Sequence, residues 1–169
     1  EISLGLVGSE MCIREQVHNY VELMLREHHG SEIETKLSAI GGSKLHHHNI
    51  DHLLNPKNLN LDQQIDLLIM QGGSTEVVSE KDQKKFIQTV QQYSAKAQKL
   101  GVKTALYMTH AYKEADRRFE PNLIKKISKT YFAAGKESNS IVIPVGLAYE
   151  IAYKAVSYTH LRAHETQRN

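Results

Sequence analysis

What this chain has little of already narrows what it can be. It has one cysteine in 169 residues, which excludes an intramolecular disulfide framework and any zinc or iron–sulfur site built from several thiolates. Its charge is nearly balanced: 21 Lys and Arg against 19 Asp and Glu leave +2. With no localised basic face, that balance argues against nucleic acid as a partner. No apolar run approaches the roughly 20 residues that span a bilayer. Neither a Walker-type phosphate loop nor the dinucleotide-binding glycine fingerprint is present, so nucleotide binding has no motif behind it. What remains is ordinary for a globular chain, 40% hydrophobic and 24% charged residues, in a length suited to a single core. The chain begins at Glu1 rather than Met, so the lack of a leader says nothing about compartment. Composition does not set the oligomeric state either.

The two ends read differently from the middle. Residues 1–14 (EISLGLVGSEMCIR) and 156–169 (VSYTHLRAHETQRN) resemble, nearly verbatim, the translated read-through of sequencing-adapter DNA. On that reading they are artefactual caps, set aside in reasoning about the fold. Residues 15–155 are then an internal piece of a natural domain, cut at both ends. Cys12 and Ser9 carry no role on this reading. The likeness of LGLVGSE to an apolar strand ending in a nucleophile turn is then chance. Whether Ile2–Val7 nonetheless joins a sheet stays open.

In the middle, strand and helix patterns alternate. Val17, Tyr20, Val21, Met24 and Leu25 recur at helical spacing before Gly30. His28 and His29 sit where cations complement a helix C-terminus. Glu32–Ile40 alternates, with Ile33, Thr35, Leu37 and Ala39 on one face. Leu45–Leu54 reads as a short helical stretch ended by Asn55-Pro56. Asp66–Met70 is short and apolar, as in a strand buried on both faces of a parallel sheet. Glu80–Leu100 carries the stripe Phe86, Val90, Tyr93, Ala97 and Leu100, with Gly101 as its cap. Val102–Met108 is the next strand. Pro121 stands at the start of the helix Leu123–Gly135. Ser140–Val145 is a further strand, and Gly146–Ala155 a helix. This order predicts an α/β three-layer sandwich around a parallel sheet.

In such a sheet, ligands bind beyond the carboxyl ends of the strands. Those ends carry Gly41-Gly42-Ser43, Gln71–Glu76, Thr109–Tyr112 and Gly146. Glycine lets the backbone approach a ligand and turn N–H groups toward an anion, although strand-to-helix turns need glycine for their own sake. His46-His47-His48 with His52 invites a metal reading, because His48 and His52 would share a helix face. No flanking residue completes a zinc motif, and an ordinary helix start explains the run better.

The segments AIGGSKLHHH, DLLIMQGGSTE, ALYMTHAY and IVIPVGLAYE together resemble the SGNH/GDSL hydrolase superfamily, most closely a bacterial branch, over nearly all of residues 16–155. The resemblance implies a flavodoxin-like fold and hydrolysis of esters, often acyl or acetyl groups on lipids or carbohydrates, with no metal or cofactor. It implies an ester-bearing small molecule or carbohydrate as the partner of the intact parent. Gly42, or its neighbour Gly41, matches the glycine whose N–H helps form the oxyanion hole, and Leu45 and His48 match residues that follow it. The turn Gln71–Ser74 matches the block that usually supplies an Asn side chain to that hole. There is no Asn here. Gly73 aligns with its position, and Gln71 is the candidate substitute. The family's serine follows the first strand, a place that falls within residues 1–14. Its Asp and His lie beyond the helix at Gly146. Neither His160 nor His164 has an Asp two or three residues before it. The expectation is a chain that keeps the oxyanion side of the site, lacks the nucleophile and base, and is inactive as it stands. The alternative is a non-catalytic flavodoxin-like module that holds a small anionic ligand.

Overall fold

The computed structural model describes residues 2–8, 17–29, 33–112 and 116–155. Five strands, β1 (Ile2–Gly8), β2 (Ile33–Ala39), β3 (Leu67–Met70), β4 (Lys103–Tyr107) and β5 (Ile141–Ile143), form one sheet in the order β2-β1-β3-β4-β5. Every pairing is parallel. The chain steps one way from β1 to β2 and the other way through β3, β4 and β5, so the direction switches between β1 and β3. This is the flavodoxin-like doubly wound order, with its switch point beside the central strand. The expected α/β architecture is what the chain adopts.

Ile2–Gly8 does join the sheet, and at its centre. It pairs with β2 from Ile2↔Ile33 to Gly8↔Ala39, and with β3 from Leu4↔Leu67 to Val7↔Met70. It is the shared neighbour that β2 and β3 would otherwise lack.

One face of the sheet is densely covered. Helix α3 (Glu80–Lys99) starts at Ser79, whose hydroxyl accepts from the Asp82 N–H at 3.1 Å. It buries Phe86, Val90, Tyr93 and Ala97 along one stripe, and Gly101 follows with φ +78°. Helix α4 (Leu123–Ser138) buries Leu123, Ile127, Tyr131 and Ala134. Both helices pack on Val7, Leu68, Met70, Leu106 and Met108 of the sheet and its ends. The opposite face is thin. Leu4, Leu6 and Ile33 are buried there, with Leu25, Leu37, Leu67 and Ile69 only half covered. Helix α1 (Val17–His29) lies on this side, anchored to β2 through Glu22, which accepts from Thr35 N–H and hydroxyl at 3.0 and 2.6 Å. The strand expected to be buried on both faces is therefore fully buried on one: Leu68 and Met70 inside, Leu67 and Ile69 half exposed.

Several boundaries differ from the sequence reading. Leu45–Leu54 is not one helix. A 3-10 turn (Leu45–His47) is followed by a separate single turn α2 (Ile50–Leu53), because Asn49 is extended and caps the second piece through His52 N–H at 3.1 Å. Helix α4 runs past Gly135 to Ser138; a Cβ at Gly135 would lie 2.5 Å from Val142 Cγ2, so this glycine serves helix–strand contact rather than termination. Pro121 stands just outside α4, separated from it by Asn122 at φ 64°. Pro144 follows the last strand, which is only three residues long, and helix α5 (Val145–Ala155) follows at once. Among the described residues no helix is long and apolar enough to cross a membrane.

Candidate functional site

The carboxyl edge of the sheet is built from two loops that flank the end of β1. On one side, Ile40 N–H reaches Gly8 carbonyl at 3.3 Å and the chain turns back through Gly41 and Gly42, closed by Ser43 N–H on Ile40 carbonyl at 3.1 Å. Gly42 has φ +70°, which a side chain would strain. Both glycines are exposed at the surface of the turn. On the other side, Gln71 N–H donates to Val7 carbonyl at 2.7 Å, extending the central ladder by one step. The Gln71 side chain is 1% exposed, and neither its oxygen nor its nitrogen has a hydrogen-bond partner among the described residues. A buried carboxamide without partners is costly in a folded chain, and it marks a place where a polar ligand group would be welcome.

The next two amides are taken. Gly72 N–H donates to Tyr131 hydroxyl at 3.0 Å. Gly73 N–H donates to Glu76 Oε2 at 2.7 Å, and the same oxygen accepts Leu45 N–H from the other loop at 2.9 Å. Gly73 therefore does not present a free N–H to an oxyanion. Glu76 is 1% exposed. Burial pushes its carboxyl up from the ordinary value; the two backbone bonds and Lys44 oppose that, and Asp82 adds to it. A Cβ at Gly72 would meet Phe86 Cε2 at 2.5 Å and Glu76 Oε2 at 3.0 Å, so only glycine fits there. Glu76 was not singled out in the sequence. A carboxylate three residues after the glycine that opens a helical turn is half of a capping box, and that pattern is the signal that could have found it.

His48 is 3% exposed, with Nδ1 3.3 Å from Ser38 Oγ and Nε2 3.4 Å from Ser43 Oγ. Its carbonyl accepts the Tyr93 hydroxyl at 2.7 Å. Burial first, then the neighbouring His47, holds its pKa below the usual histidine value. His52 is exposed on α2, so His48 and His52 do not share a face. Among the described residues no three His, Cys, Asp or Glu side chains converge in a way that could hold a metal ion.

At the end of β4, Thr109 is 1% exposed and its hydroxyl has no partner among the described residues. Gly146 opens α5 against this point. Its N–H donates to Met108 carbonyl at 3.1 Å, and a Cβ would lie 2.2 Å from Thr109 carbonyl oxygen. Ser9, Cys12, His160 and His164 lie outside the described residues.

The sequence matches no protein-family model and no curated protein. Solved structures do match its fold. A candidate SGNH hydrolase from Slackia heliotrinireducens aligns with a TM-score of 0.65 at 19% identity, over 89% of this chain and 82% of that one. An acetyl xylan esterase, AlAXEase, aligns at 0.63 and 20% identity, over 91% and 84%. A catalytic mutant of Axe2, an acetylxylan esterase from Geobacillus stearothermophilus, aligns at 0.65 and 14% identity, over 92% and 81%. At such identities the likeness establishes the fold: the chain has the α/β architecture of the SGNH hydrolases.

Proposed function

We propose that this chain carries the oxyanion half of a serine ester hydrolase of the SGNH type, and that it is inactive as it stands. The observation that carries the reading is the buried Gln71 carboxamide, without a partner among the described residues, at the switch point of the sheet, across the end of β1 from the Gly41-Gly42 turn. In the intact parent, a serine after the first strand would attack the ester carbonyl. A histidine would take its proton and return it to the leaving alcohol, with an acid orienting the ring. Gly42, with Gly41, would supply backbone N–H groups to the tetrahedral oxyanion, and Gln71 the side-chain donor that the family usually draws from Asn. A donor of this kind is worth about 3 kcal/mol of transition-state stabilisation. Gly73, whose amide is engaged by Glu76, would shape the loop rather than donate to substrate. The structural neighbours named as acetylxylan esterases support an acetylated carbohydrate as the parent's substrate class.

A small anion held by the glycine turns is the weaker reading, because Glu76 already supplies an internal carboxylate to Leu45 and Gly73 amides. The coding sequence that flanks residues 15–155 in the parent gene tests the choice. The hydrolase reading expects a Gly-Asp/Asn-Ser block upstream and an Asp-x-x-His block downstream. A parent with neither would be a binding module.

A further inference from the structure

Glu76 does something that neither helix capping nor the proposed chemistry requires. One carboxylate oxygen accepts amides from two separate loops: Gly73 in its own turn, three residues away, and Leu45, 31 residues away beyond β2. Those are the loops that hold the oxyanion candidates. Leu45 is fully buried, so its N–H has no recourse to water if the bond is lost. Among the described residues the ammonium that acts on this carboxylate, on Lys44, is paired instead with Asp82 of α3, which is itself held by the Ser79 hydroxyl. Removing the carboxylate would orphan two amides at once, one in each loop.

We propose that Glu76 is a positioning residue, an internal clasp that locks the Gly41–Leu45 turn to the Gln71–Gly73 turn and so fixes the distance across the end of β1. Its consequence for an oxyanion hole rests on the hydrolase reading; the clasp itself does not. The charged and titratable groups that face it are Lys44 from the first loop, Asp82 and Tyr93 from α3, and the Tyr131 phenol of α4, which is bonded to the adjacent Gly72.

The test is a proton–nitrogen NMR titration of the full chain. If one carboxylate serves both loops, the amide resonances of Leu45 and Gly73 move together as pH is lowered. They share a single midpoint on the high side of the ordinary glutamate range. In Glu76→Gln both amides stop titrating with that midpoint, and both exchange with solvent at least about tenfold faster. Asp82→Asn leaves the shared titration in place. Two independent midpoints, or amides that stay still in the folded chain, overturn the proposal. So does unchanged exchange in Glu76→Gln. Should that variant fail to fold, the wild-type titration alone decides. No ester enters the experiment, so its failure is distinct from failure of the hydrolase reading.

Discussion

At the scale of single residues, the site is a set of polar groups whose burial has a cost. Gln71 is the sharpest case. Its carboxamide is enclosed with no partner among the described residues, so an apolar side chain of similar volume relieves the fold of an unsatisfied group. Gln71→Met is expected to raise stability by about 1 kcal/mol in urea unfolding, within the range for burying an unpaired polar group. A loss of that size would mean the carboxamide is bonded in the free protein. His48 gives the opposite kind of cost. Its folded pKa lies below the ordinary value of 6.5 because burial disfavours the imidazolium. Between the two values the unfolded chain binds the extra proton, so this stabilisation is complete above pH 6.5 and is lost as pH falls through the folded value. Glu76 works the other way: its raised value favours the fold at low pH, and that contribution is lost as pH climbs from 4.5 through the folded value. The urea midpoint of wild type is therefore expected to fall between about pH 7.5 and pH 5.5 by more than that of His48→Asn. Equal falls in the two proteins would remove His48 as a cause.

At the scale of elements, the long amphipathic pieces could be read directly from the sequence. The 3.6-residue stripe of α3 is buried as expected from Phe86 to Ala97, but Leu100 at its end is exposed. β2 forms as a strand, although only Ile33 of its expected face is fully buried and Ala39 is exposed. Tyr20 and Met24 of the expected α1 stripe lie exposed. Leu45–Leu54 does not form one helix, because its course is set by Asn49 capping a second turn and by the tertiary bond from Tyr93 to His48, neither of which leaves a period in the sequence. The half-exposed face of β3 was equally hidden, since an apolar run looks the same whether one or both faces are covered. At the site, the glycine turns were visible as glycines, but the clasp from Glu76 to Leu45 spans 31 residues and has no local signature at its far end. β1 matters most for stability. It accepts Ile40 and Gln71 amides at its carboxyl end, pairs with β2 along its whole length and pairs with β3 from Leu4 to Val7. A chain of residues 15–155 lacks that strand and leaves two buried strand edges facing each other unpaired. Its thermal unfolding, followed by circular dichroism, is expected to be broad and non-cooperative. A sharp transition comparable to that of the whole chain would contradict this role for Ile2–Gly8.

At the scale of the whole molecule, the two sides of the sheet are unequal. One side is covered by two long helices, each burying one apolar stripe, while the other leaves Tyr20, Leu23 and Met24 of α1 exposed; Ile151 of α5 is exposed as well. The architecture is that of the SGNH hydrolases, and it brings the oxyanion candidates to the switch point where such a fold works. On the proposed reading, the partners that would make this edge catalytic, a serine and its histidine–acid pair, are assigned to the parent rather than to this chain. Hydrolysis of p-nitrophenyl acetate by the full 169-residue chain, set beside Ser9→Ala, tests that claim most directly. The same background rate is expected for both proteins. Turnover by the wild-type chain that Ser9→Ala abolishes would show that residues 1–14 supply a working nucleophile, and would contradict it.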